Sequence, residues 1–134
     1  MAAATAATVA HFTIAYWCVL VAALLPIASA ALAKSGGFDN GDPRPSLGRL
    51  SGWRARANAS QANAFENLPF FIGAVVIAHQ LGAPQGRVDL LAVGYVVARV
   101  AYLGCYVAGW AGLRSAVFFV GFFLNVAILF AGWR

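Results

Sequence analysis

The sequence predicts an all-α, integral membrane four-helix bundle, and three observations point to it. Of the 134 residues, 62% are hydrophobic and 10% charged, whereas soluble domains are typically ~45–50% apolar. Four stretches each reach the ~20 residues that a bilayer-crossing helix needs. Gly, Pro, Asn and Asp cluster between those stretches, above all at Ser35 to Ser51, where they mark turns. The expected helices cover approximately residues 8–34, 55–81, 88–110 and 114–133 of a single domain, 1–134.

The first helix, centred on the uncharged run His11 to Ala33, is read as a membrane span rather than a cleaved signal peptide. Ala28-Ser29-Ala30 and Ala31-Leu32-Ala33 look like cleavage sites. However, no Lys or Arg precedes His11, and the run is far longer than the ~7–15 residues of a signal core. Pro26 is expected to kink this helix near its C-terminal end. The second helix opens with polar turns, Arg54 to Asn67, before an apolar stretch to Leu81, and Pro69 is expected to bend it just past Glu66. The third holds Arg99 at its middle, in a stripe with Tyr102 and Tyr106 at i, i+3 and i+7. The fourth is opened by Arg114, and Arg114, Phe118, Phe122 and Asn125 share one of its faces.

The net charge of +5 is a topology signal rather than a nucleic-acid signal, because the basic residues gather at one side of the predicted bundle. Lys34, Arg44, Arg49, Arg54 and Arg56 lie in or beside the first connection and Arg114 follows the third, while the second has only Arg87. Basic loops face the cytoplasm, which puts both termini outside and the long first loop inside. Cys18 and Cys105 sit in apolar runs without CxxC or Cys/His spacing, so they read as small buried residues, and no metal site is expected. His11 and His79, near membrane ends, read as satisfied or interfacial side chains.

Asn63, Glu66, Asn67 and Phe70 fall at i, i+3, i+4 and i+7, on one helix face. A carboxylate inside a membrane segment needs a partner, and Arg99 is the expected one. Counted from the cytoplasmic helix ends at ~1.5 Å per residue, both groups lie on the order of 12–17 Å deep. A Glu66–Arg99 ion pair either pins two helices or also shapes a site. Nearer the cytoplasmic surface, Tyr106 and Arg114 are suited to an anionic, partly apolar ligand, since a guanidinium matches a carboxylate or thiolate. The competing reading is an interfacial tyrosine and a snorkelling arginine.

The motif N-x-x-E-N-x-P-F at Asn63 to Phe70, with FDNGDPR, GWRARANA, the Arg99/Tyr106 spacing and Arg114-Ser115, resembles the MAPEG family. These are the membrane-associated proteins in eicosanoid and glutathione metabolism, and the likeness to their short bacterial members covers nearly the whole chain. The resemblance implies a homotrimer of four-helix protomers in a bacterial inner membrane, with glutathione as co-substrate bound between neighbours and open to the cytoplasmic side. It implies that Asn63, Glu66, Tyr106 and Ser115 form the glutathione-binding set and that Arg114 is the catalytic residue assisting the thiolate. The sequence departs from the family's enzymes at Ala59 and Ala62, where they carry arginines, at Tyr102 in place of a histidine, and at Phe118 near a usual tyrosine. Arg54 and Arg56 are the expected compensation.

The expected function is a glutathione-dependent transferase or peroxidase, acting on lipophilic small molecules (electrophiles or lipid hydroperoxides) that arrive through the bilayer. A non-catalytic binding or scaffold protein on the same fold is the alternative favoured by the missing arginines. A small proton-coupled multidrug transporter is a third reading, against which Arg99 as a neutralising partner and the long basic loop both count.

Overall fold

The computed structural model describes residues 11–134. Along the chain, α1 spans Ile14–Lys34, α2 Pro43–Gly48, α3 Gly52–Gln80, α4 Gln85–Ala108 and α5 Ala111–Phe130. Helix α2 corrects the expectation of four helices. Proline occupies its first turn, directly after Asp42, where a fixed φ and a missing N–H suit a helix start. A stretch rich in turn residues therefore still closes a short helix.

Of the predicted first helix, residues 8–10 lie outside the described ones. Thr13 precedes α1 as its cap, the hydroxyl accepting from Tyr16 N at 3.2 Å. Helices α3, α4 and α5 begin at Gly52, Gln85 and Ala111, ahead of the predicted 55, 88 and 114, because the turns that separate them are tight. Pro26 and Pro69 both lie inside continuous helices.

Helices α1, α4 and α5 are long and apolar enough to cross a membrane. They leave large side chains such as Ile27, Leu90, Val97 and Phe123 facing outward, which water would penalise and lipid does not, so this is a membrane protein. Helix α3 has 29 residues and is about 43 Å long. Its first half is diluted by Arg54, Arg56, Asn58, Gln61, Asn63, Glu66 and Asn67, and only its second half is a continuous apolar run.

Helix α1 lies against α3 and α4, and α5 lies against α4 and α3. Their shared core rests on small side chains, with Ala15, Cys18 and Ala22 of α1 meeting Ala74 and Ala78 of α3 and Ala92 of α4. Small residues let backbones approach closely where lipid supplies no hydrophobic drive between helices. Phe71 fills the middle, stacked on Tyr95 with ring centroids 4.1 Å apart. Both cysteines are free and buried.

At the end where α1 starts and α3 finishes, a polar network ties three helices together. His79 Nδ1 lies 2.7 Å from Val75 O; a carbonyl only accepts, so Nδ1 donates there, and Nε2 is hydrogen-bonded with the Thr13 hydroxyl at 2.9 Å. Asp89 Oδ1 accepts from the Ala15 amide at 3.0 Å and from Gln85 Nε2 at 2.7 Å, satisfying one of the amides that the start of α1 leaves free. His79 is thus a satisfied side chain.

Candidate functional site

At the opposite end, α4 and α5 are joined by Gly109 and Trp110 alone. Gly109 adopts a left-handed φ of +79°, a conformation that costs glycine little. Gly109 N donates to Tyr106 O at 3.1 Å and Trp110 N to Cys105 O at 3.0 Å, the paired bonds of a Schellman turn. Trp110 O then accepts from Arg114 N at 2.9 Å and so begins α5. This tight hairpin sets the last turn of α4 against the first turn of α5. The Arg114 guanidinium lies over the Tyr106 ring, 4.4 Å from its centroid, where the π face attracts a cation.

Beside this pair is a cavity of about 200 Å³, lined by Tyr102, Tyr106, Arg114, Ser115, Phe118 and Phe119. Its polar groups come from the tyrosines, Arg114 and Ser115, whose hydroxyl donates to Ala111 O at 3.1 Å. Its apolar wall is Phe118 and Phe119. Phe119 is exposed on the lateral surface and continues through Phe123 to Phe122 as a row of neighbouring rings along α5.

Deeper in the bundle, Arg99 is 6% exposed. Its Nη2 donates to Asn63 Oδ1 at 2.8 Å, and its guanidinium lies 4.4 Å from the centroid of the Tyr102 ring. Asn67 Nδ2 donates to Asn63 O at 2.8 Å and to Asn63 Oδ1 at 3.2 Å, fixing the carboxamide that Arg99 meets. Glu66 is exposed and takes no part, so within the chain the expected Glu66–Arg99 ion pair does not form. Depth is not the obstacle. Three residues along a helix turn the side chain about 60° from its predecessor, and Asn63, not Glu66, is the member of the stripe that faces α4.

The structure therefore brings Tyr106, Arg114 and Ser115 to one cavity and sets Asn63 in a second polar group around Arg99. Tyr102 links the two, under Arg99 on one side and with its ring edge against Tyr106 at 5.6 Å on the other. Tyr102, Phe119 and Phe118 are the lining residues that were not among the expected site residues. The i, i+3, i+7 stripe through Arg99, Tyr102 and Tyr106 was the signal for Tyr102; nothing in the sequence marks Phe119 apart from its neighbours.

Arg54 and Arg56, the expected compensation for the missing basic residues, both bind backbone carbonyls. Arg54 donates through Nε to Ala33 O at 2.9 Å and through Nη2 to Gly37 O, at the end of α1. Arg56 donates through Nε to Val107 O at 3.0 Å, at the end of α4. Residues two apart on a helix point to nearly opposite sides, so this pair ties α3 to a different neighbour on each flank, and both bind carbonyls that a helix C-terminus leaves unpaired.

The family model for the MAPEG family matches residues 14–133. The chain belongs to the MAPEG family. Neither curated proteins nor solved structures yielded a match. Membership brings, at the level of the family, a membrane role in glutathione-related chemistry. In this MAPEG chain, Ala59 and Ala62 are both exposed on α3. Tyr102 is buried beneath Arg99, and Phe118 is part of the cavity wall. The departures from the family's enzymes thus fall both on the open face of α3 and inside the site.

Proposed function

We propose that the protein is a glutathione-dependent transferase or peroxidase acting on lipophilic electrophiles or lipid hydroperoxides. The observation that carries this reading is the Arg114 guanidinium held on the Tyr106 ring beside a cavity whose far wall is phenylalanine at the lateral surface. A fixed cation favours the ionised form of a thiol. Tyr106 and Ser115 supply hydroxyls near it, and the apolar wall suits a substrate arriving from lipid. In the transferase reaction the glutathione sulfur attacks the electrophilic carbon with its electron pair, and the leaving group departs with the bonding pair. With a hydroperoxide, the sulfur takes the terminal oxygen and the alcohol leaves; a second glutathione then converts the sulfenic acid to a disulfide and water.

Asn63 and Glu66 are assigned to the tripeptide. A cavity of about 200 Å³ is smaller than the ~300–1,000 Å³ of typical ligand pockets. This supports a site completed by neighbouring copies in a homotrimer, where the exposed Glu66 carboxylate would find its partners. The reading also places both termini outside a bacterial inner membrane and the Ser35 to Ser51 loop in the cytoplasm. Titration of the purified protein with glutathione tests the chemistry. A thiolate absorbance band saturating with glutathione is expected, and its absence at saturating ligand overturns the reading. Native mass spectrometry tests the assembly, for which a stable glutathione-binding monomer is the contrary result.

A non-catalytic binding role on the same fold is favoured by one observation. Exposed Ala59 and Ala62 put no cation on that face of α3, which weakens the hold on the two carboxylates of glutathione. Saturable binding without a thiolate band is the outcome that selects this second reading.

A further inference from the structure

We infer that Arg56 is a positioning residue for the thiol chemistry, acting through the α4–α5 turn without touching glutathione. The inference rests on the assignment of Arg114 and Tyr106 to the thiolate site. These two residues flank the turn, Tyr106 three residues before Gly109 and Arg114 five after it. Their cation–π geometry is therefore set by the angle at which α4 turns into α5. Within the turn, Cys105 O and Tyr106 O are taken by Trp110 N and Gly109 N. The next carbonyl, Val107 O, is taken by Arg56 Nε from α3.

The same guanidinium packs against the turn itself. A Cβ placed on Gly109 would be 3.5 Å from Arg56 Cζ and 3.5 Å from its Nε, so Arg56 covers the bare face of the one residue whose left-handed φ makes the hairpin. One side chain thus both satisfies the end of α4 and packs against the pivot. Arg54, two residues earlier, supplies the matched comparison. It serves the end of α1 in the same chemical way, and none of the cavity's lining residues belongs to α1.

The test compares wild type, Arg56→Met, Arg56→Lys and Arg54→Met, each as the full chain in detergent or nanodisc. Three quantities are followed: thermal stability, glutathione affinity, and the pH midpoint of the glutathione thiolate band. In Arg56→Met the midpoint is expected to rise toward that of free glutathione by on the order of one pH unit. Turnover is expected to fall roughly 10-fold while affinity changes little. Arg56→Lys keeps an N–H donor and a charge and is expected to recover part of the shift. Arg54→Met is expected to lower the melting temperature and leave the midpoint in place.

A midpoint unchanged in Arg56→Met, or moved equally by Arg54→Met, overturns the inference. If Arg56→Met does not fold, Arg56→Lys decides, because its smaller donor must then show a partial midpoint shift. Absence of a thiolate band in wild type instead overturns the proposed function, so the two failures are distinguishable.

Discussion

The two ends of the bundle handle polar groups in opposite ways. At one end Thr13, His79, Gln85 and Asp89 bond largely to one another and to the start of α1, so donors and acceptors are consumed locally. At the other end the cations Arg54 and Arg56 bind helix C-terminal carbonyls, while Arg114 has a ring beneath it and a cavity beside it. A saturated network makes a clasp. An end held by cations on carbonyls, with a cation beside a cavity, has the charge that the proposed thiolate site requires. The comparison teaches that polarity alone does not mark a site in this membrane bundle; what marks it is a charged group whose bonding capacity the chain itself does not use up.

Four substitutions break or sharpen this contrast, the largest effect first. Arg114→Ala removes the cation from the cavity, and loss of one charge-stabilising group typically costs ~10²–10³ in rate. Turnover with a lipophilic electrophile is expected to fall by that factor while glutathione affinity changes less, as steady-state and binding measurements would show. Unchanged turnover removes Arg114 from the mechanism.

Asn63→Ala takes away the only side-chain hydrogen-bond acceptor that the buried Arg99 has among the described residues. Bonds to charged groups are worth ~1.5–3 kcal/mol, and a loss of stability in that range is expected in denaturant titrations in detergent. The double variant Asn63→Leu with Arg99→Met should regain much of it, since neither polar group is then left alone. No coupling between the two positions would mean that the pair does not contribute.

Asp89→Ala frees the Ala15 amide and Gln85 at the clasp. A cost of ~1–2 kcal/mol is expected, with no change in the thiolate titration. A shifted titration would break the contrast between the two ends. Thr13→Ala, which removes the α1 cap and the His79 partner together, is expected to cost ~1 kcal/mol, read out as a small fall in melting temperature.

Much of the fold was legible because lipid makes each span declare itself as an apolar run, and α1, α4 and α5 follow those runs closely. Helix α2 was not legible. Its prolines, and Asp42 just before it, are turn formers in sequence, and only their placement at a helix start makes them compatible with one. The Arg99, Tyr102, Tyr106 stripe was readable from spacing, as was the nearness of Arg114. Depth is readable along a sequence and azimuth between two helices is not, so Asn63, rather than the expected Glu66, meets Arg99. The Thr13–His79 contact, across a sequence separation of 66, left no mark in either local stretch. The same holds for Arg56, whose carbonyl partner is 51 residues away and has no side-chain signature at all.

All six residues lining the cavity fall between Tyr102 and Phe119, within one helical hairpin. Contacts that are close in sequence close short loops and form fast, so the outline of this cavity is a local product of the last two spans. It needs no long-range search to assemble. The contact of Arg56 with Val107 O, by contrast, spans 51 residues and must close a much longer loop.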